Sequence, residues 1–94
     1  MNKISKGTIL RNLRADRETY FVCEHIEISI NAPKLASGYA IMSLENEEWY
    51  VVKNMLYRHA DLYDEEHFKV VGQVDIDNEV KNLILTAINS TNKT

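Results

Sequence analysis

The sequence predicts a mainly β domain, a small barrel of five strands, with one helix at its C-terminal end. Two observations support this prediction. Between residues 7 and 74 the apolar residues recur mostly at alternate positions in short runs, which is typical of strands that bury one face. After residue 75 the apolar spacing changes to three and four, as in an amphipathic helix. We therefore expect the β-barrel over residues 1–75, the helix over 76–89 and a frayed tail over 90–94.

Length and composition limit the chain to one small globular domain. A chain of 94 residues buries only about two-thirds of its unfolded surface, so its core is thin. With 45% hydrophobic and 27% charged residues, the composition is neither that of a disordered chain nor that of a membrane span. The N-terminal residues lack the apolar block of a secretory signal, and the single cysteine, Cys23, excludes an internal disulfide. We therefore expect a cytoplasmic protein with no membrane association.

Alternation and turn residues together place the strands. Pro33 marks residues 31–37 as a loop, and the acidic segment 45–48 between two apolar runs predicts a hairpin. A polar segment at residues 14–18 separates the first strand from the second. The predicted strands are Gly7–Leu13, Thr19–Ile30, Gly38–Leu44, Trp49–Lys53 and Phe68–Val74.

The period of two also predicts which side chains share a face of the sheet. We expect Tyr39 and Trp49 to lie on the outer face of the hairpin, where their rings are available to a ligand or to a partner side chain. One face of the second strand holds Tyr20, Val22, Ile26, Ile28 and Ile30. The expected core residues of the hairpin and the last strand are Ala40, Met42, Leu44, Tyr50, Val52, Phe68 and Val70.

The C-terminal helix is predicted from its apolar stripe and from the acids at its start. Asp75 is placed to cap it, and Asp77 and Glu79 fall in its first turn, where carboxylates suit the helix dipole. A helix of this length is marginal alone in water, so its stripe must pack against the barrel or against a second copy of the chain. Trp49 equally suits a position over this helix. The stripe consists of Ile76, Val80, Leu83, Ile84, Ala87 and Ile88.

Two segments resemble the Src-homology-3-like small barrels. They are the GTI start of the first strand and the stretch DEEHFKVVG at residues 64–72, which is similar to the short 3-10 turn and closing strand of such barrels. The KGT and HFKVVG segments and the Asn/Lys/Ile-rich composition also resemble small proteins encoded by phages and mobile elements of low-GC bacteria. The resemblance implies a viral protein that acts by binding in the bacterial host cytoplasm. Such proteins block a host enzyme or, as an anti-defence measure, sequester a nucleotide signal.

No catalytic or metal site is predicted. Cys23 and His25 lie two residues apart on one strand face, but a nucleophile and its base also need an orienting group and oxyanion donors, and no nucleophile elbow is present. His59 and His67, with the acids between them, match no zinc or EF-hand spacing. We therefore expect a protein that is not an enzyme and that carries neither cofactor nor metal.

Aromatic and basic side chains are the better candidates for binding. Residues 1–17 carry five basic side chains and one acid, a balance of +4 on a chain whose net charge is −3. Such a local patch attracts a small anion without a general affinity for polyanions, and a guanidinium binds phosphate bidentately. Because the domain is too small to enclose a ligand alone, we expect the site between protomers of a homo-oligomer. The predicted ligand contacts are Arg11, Arg14, Arg17, Tyr39, Trp49, Tyr57, Arg58 and His59.

Other uses of these charges remain open. Residues 61–79 carry seven acids and one lysine, so an acidic surface is a second candidate, for binding a basic host protein. RNA or DNA binding by the basic N-terminal region is a third candidate, which the net charge of −3 makes less favourable. The charges also serve solubility without any partner. The acidic surface consists of Asp61, Asp64, Glu65 and Glu66.

Overall fold

The computed structural model describes residues 4–27, 34–46 and 48–75, which form one antiparallel sheet and a short helix. The elements are β1 (Thr8–Asn12), β2 (Thr19–Glu27), β3 (Leu35–Ser43), β4 (Trp49–Arg58), α1 (His59–Leu62) and β5 (Phe68–Gln73). The five strands are ordered β4-β3-β2-β1-β5, and every neighbouring pair is antiparallel. This order confirms the predicted mainly β domain of five strands. Within the described residues the sheet is not closed into a barrel, since β4 and β5 are its two edges.

Part of the sequence-based prediction concerns residues outside these described ranges. The helix expected over 76–89 and the tail over 90–94 lie outside the described residues, as do the side chains of Ile28 and Ile30.

The hairpin between β3 and β4 is confirmed, and it is longer than predicted. β3 begins at Leu35, inside the segment 31–37 predicted as a loop, and β4 continues to Arg58 instead of ending at Lys53. The extension pairs Ala36 with Tyr57 in the ladder. Ala36 is buried and Tyr57 packs on the core. The burial of these two side chains favours continued pairing of β3 with β4, past the polar residues that precede Tyr57 on β4.

Bulges determine which side chains face which side of the sheet. In the β2–β3 ladder Cys23 pairs with Gly38 and His25 with Ser37, so Glu24 is an extra residue on β2. A side chain on Gly38 would lie 1.9 Å from the carbonyl oxygen of Val22, so only glycine fits opposite this bulge. The bulge reverses the alternation along β2. Consequently the predicted single face of Tyr20, Val22 and Ile26 is wrong, because Ile26 lies on the other side of the sheet from the first two.

Both faces of the sheet carry a core cluster. The first core cluster consists of Ile4, Leu10, Phe21, Cys23, Ala36, Leu62 and Phe68, with Ile26, Met55, Tyr57, Tyr63 and Val70 packed against it. The second core cluster consists of Ile9, Tyr20, Val22 and Ile41, with Tyr39, Trp49, Val51, Val71 and Val74 packed against it. Apolar side chains are therefore buried on both faces of the sheet and not on one face only.

The core predictions for the hairpin and the last strand are confirmed only in part. Ala40 and Phe68 are buried, and Val70 packs on the first core cluster. Tyr50 was expected in the core, and this is wrong, because 55% of its surface is exposed. Its strand, β4, is an edge of the sheet, so the side chain has no neighbouring strand on one side. Ile41, on the face assigned to Tyr39 and Trp49, is fully buried instead.

The acidic segment before β5 is a hydrogen-bonded turn. The carbonyl oxygen of Asp64 accepts hydrogen bonds from the backbone N–H groups of His67 and Phe68, each at 2.9 Å. The Asp64 carboxylate also accepts one from the N–H of Glu66 at 3.0 Å, as in an Asx-turn. Just before this turn the Tyr63 hydroxyl accepts a hydrogen bond from the N–H of Ile4, at 2.9 Å. The segment thus delivers Phe68 to the core and fastens the N-terminal residues.

Candidate anion-binding site

An open concavity of about 830 Å³ lies beside β1, β5 and the loop that joins β1 to β2. We call it the cationic concavity, since three basic side chains line it. Its lining residues are Arg11, Asn12, Leu13, Ala15, Asp16, Arg17, Glu18, Tyr20, Lys69, Val70 and Val71. Its volume falls in the range of about 300–1,000 Å³ that is usual for small-molecule sites.

Two cations face each other in the cationic concavity. Arg11 on β1 and Lys69 on β5 are direct partners in the antiparallel ladder, and both side chains are exposed. Side chains opposite each other in such a ladder have Cβ atoms about 4.5–5.5 Å apart, and like charges there repel. Neither side chain forms an ion pair with any other described residue. The pair therefore provides a place where a bound anion would replace repulsion with attraction.

The other two predicted arginines of this region are ion-paired. Nη2 of Arg17 lies 3.2 Å from Oε1 of Glu45, which ties the β1–β2 loop to the β3–β4 turn. Nη2 of Arg14 lies 3.6 Å from Oδ2 of Asp64 and does not line the concavity. Both pairs are solvent-exposed, so each contributes only about 0–1 kcal/mol and is easily exchanged for another anion. Arg17 thus lines the concavity while its guanidinium is paired with Glu45.

The predicted aromatic platforms lie outside the cationic concavity. The Trp49 ring packs against Tyr20 of the second core cluster, with centroids 6.2 Å apart, so Trp49 belongs to the apolar layer packed on that cluster. Tyr39 is in the same layer, where burial and then the nearby Glu24 carboxylate, to which its hydroxyl is hydrogen-bonded, raise the pKa of that hydroxyl. Both rings are therefore occupied by packing within the fold.

The remaining predicted contacts also make their interactions outside the cationic concavity. The Tyr57 ring packs edge-on against Phe21 and Phe68, with centroids 5.0 and 5.2 Å away, and burial raises the pKa of its hydroxyl. Nε of Arg58 lies 3.4 Å from Oδ2 of Asp61. The His59 ring packs edge-on against Tyr63, with centroids 5.0 Å apart. None of Tyr57, Arg58 and His59 lines the cationic concavity.

Lys69 is the site residue that the sequence-based prediction missed. It lies next to the buried Phe68 in the closing strand and has no distinctive local pattern. Its importance depends on the pairing of β1 with β5, which joins residues far apart in the chain. Only a prediction of that register would have placed Lys69 beside Arg11.

The acidic surface predicted as an alternative is largely used within the fold. Asp61 is paired with Arg58, and Asp64 is paired with Arg14 and forms the turn before β5. Glu65 and Glu66 are exposed at the tip of that turn. Two of the four acids therefore already have basic partners.

The fold does not bring together the side chains of Cys23 and His25, which were considered for catalysis. Cys23 is buried in the first core cluster, and burial raises the pKa of its thiol to about 11, whereas His25 is exposed. The bulge at Glu24 separates their side chains, which corrects the expectation that they share a face. Across the described ranges, no three His, Cys, Asp or Glu side chains are grouped as metal ligands. In the same ranges, no helix has the length and apolar character to cross a membrane.

Comparison of the chain with protein-family models, with curated proteins and with solved structures finds no match.

Proposed function

We propose that this chain is a non-catalytic binding protein that captures a small anionic, nucleotide-like ligand in the cationic concavity. The observation that supports this proposal is the pair of Arg11 and Lys69, which face each other without an acidic partner among the described residues. A phosphate between them receives charge-assisted hydrogen bonds from both cations and removes their mutual repulsion. The resemblance to phage proteins makes a nucleotide signal of host defence the ligand class that we favour.

A small anion suits this site better than a nucleic-acid strand. The concavity is also lined by Asp16 and Glu18, so its positive charge is local to the Arg11–Lys69 pair. A nucleic-acid strand is bound by a groove with a continuous row of cations along the nucleic-acid backbone. The net charge of −3 adds long-range repulsion for any polyanion.

Because the concavity is open, we propose that a second copy of the chain completes the site in a homo-oligomer.

We also propose that the sheet belongs to the Src-homology-3-like class of small barrels. Support comes from the five antiparallel strands in the order β4-β3-β2-β1-β5 and from the tight acidic turn that leads into the last strand. This class is used mainly for binding, which agrees with the proposed role.

The proposal is tested by calorimetric titration with inorganic pyrophosphate. We expect the wild-type protein to bind it, and the Arg11→Ala/Lys69→Ala double variant to bind at least about 100-fold more weakly, since hydrogen bonds to charged groups contribute about 1.5–3 kcal/mol each. Both side chains are exposed, so we expect the double variant to fold normally.

The matched control is Arg58→Ala. This variant removes an exposed, ion-paired arginine that does not line the concavity, so pyrophosphate binding should be unchanged. The proposal is wrong if the wild-type protein does not bind pyrophosphate, or if the double variant binds it as well as the wild type. The mass in solution, measured on the same sample, tests the second copy: binding by a monomer would exclude a shared site.

A further inference from the structure

The second core cluster is buried more deeply than the described elements on its face of the sheet explain. Ile9, Val22 and Ile41 are each 0% exposed. Tyr20 is 1% exposed. Side chains stand roughly perpendicular to a sheet, so neighbours on the same face cover their flanks, whereas their ends are covered only by a layer packed above them. The second core cluster therefore lies beneath such a layer.

The two faces of the sheet differ in which described residues supply that layer. On the first core cluster, Ile4 and the helix residue Leu62 come from outside the strands, and Tyr63 packs against the same cluster. On the second core cluster, every apolar side chain that the described residues contribute comes from a strand or, as for Val74, from the residue directly after β5. The layer over the second core cluster therefore belongs to a part of the chain beyond the described ranges.

We propose that residues 76–89 form this layer, as an amphipathic helix whose apolar stripe packs on the second core cluster of the same chain. The exposed fractions are those of a single copy of the chain, so the covering residues belong to that copy and not to a partner. Val74 packs on the cluster, so the chain leaves β5 beside it, just before this segment. The other stretches outside the described ranges, 1–3, 28–33 and 47, are too short to cover a face of five strands.

The length and the apolar pattern of the segment fit this surface. As an α-helix, residues 76–89 are about 21 Å long at 1.5 Å per residue. The five strands, about 4.8 Å apart, span about 19 Å from β5 to β4. The helix is thus long enough to reach from Val74 across the cluster to Trp49 on β4, and its stripe from Ile76 to Ile88 keeps apolar side chains on one face over that length. This inference is independent of the proposed function.

Methyl NMR of the full-length chain tests the inference directly. We expect nuclear Overhauser contacts between the methyl groups of Leu83 and Ile84 and those of the second core cluster. In a sample that mixes labelled and unlabelled copies, filtered spectra should show no such contacts between copies. Contacts with Leu10 of the first core cluster instead, contacts only between copies, or no contacts at all would each overturn the inference.

Trp49, the only tryptophan of the chain, gives a second readout. Because Trp49 packs on the second core cluster, we expect Leu83→Ser, which puts a hydroxyl into the stripe, to shift the Trp49 emission to the red and to increase its quenching by acrylamide. The matched control is Leu85→Ser, which makes the same change two residues later and off the stripe, and which should leave the emission unchanged. Unchanged emission in Leu83→Ser, or an equal red shift in both variants, would contradict the inference.

Discussion

The Gly7→Ala variant should lose about 3 kcal/mol of stability or more, enough to lower the melting temperature of a domain this small by about 12 °C or more. Gly7 has a φ of +90°, a conformation that costs other residues about 1–2 kcal/mol. A side chain there would lie 2.0 Å from the carbonyl oxygen of Val74, which is backbone and has little room to move. The N–H of Gly7 also donates to Cys23 and its carbonyl oxygen accepts from Val74. Displacing this residue therefore disturbs contacts with β2 and with the end of β5 together.

Thermal and urea unfolding of Gly7→Ala measure this loss, with Ser5→Ala as the control. Ser5 is in the same turn and is exposed, and the hydrogen bonds it makes there, with Thr8, use its backbone, so its variant should stay within about 0.5 kcal/mol of the wild type. A Gly7→Ala protein as stable as the wild type would show that residues 5–7 do not hold the first and last strands together as described.

Phe68→Ala should destabilise the protein by about 3–5 kcal/mol, the usual range for removing a buried phenylalanine. Phe68 is 3% exposed in the first core cluster, and its ring contacts Tyr57 edge-on and stacks on His67 at 4.2 Å. The substitution leaves a cavity where the closing strand joins the core. Urea unfolding measures the effect. Tyr50→Ala, which removes a ring of similar size that is 55% exposed, should change stability little. Equal losses in the two variants would contradict the assignment of Phe68 to the core.

Sequence reasoning succeeded where the signal is local. The existence of the five strands, the hairpin around residues 45–48 and the turn before β5 follow from alternation and turn residues close together in the chain. Phe68 was placed in the core correctly for the same reason. Alternation failed past Glu24, because the bulge there depends on pairing with β3, which a single strand does not encode. Tyr50 was misplaced because an edge position is a property of the whole sheet.

The candidate site was predicted only in part for a related reason. Arg11 and Arg17 were found from their charge, and the fold brings both into the cationic concavity. Arg14 and Arg58 carry the same charge, but the fold places each beside an aspartate, so they are used in surface ion pairs. Lys69 is placed beside Arg11 only by the long-range pairing of β1 with β5. Composition thus indicated the chemistry of the candidate site, whereas the strand register determines which charged residues line it.

The central claim is that Arg11 and Lys69 form a repulsive pair that a bound anion stabilises, and Arg11→Glu tests it most directly. Without pyrophosphate this variant should melt a few degrees above the wild type, since a cross-strand pair of opposite charges replaces a pair of like charges, a gain of up to about 1 kcal/mol. Pyrophosphate should raise the melting temperature of the wild type and leave that of Arg11→Glu unchanged, with sodium chloride of equal ionic strength as the control. A wild-type melting temperature that pyrophosphate does not raise, or an equal rise in Arg11→Glu, would contradict the claim.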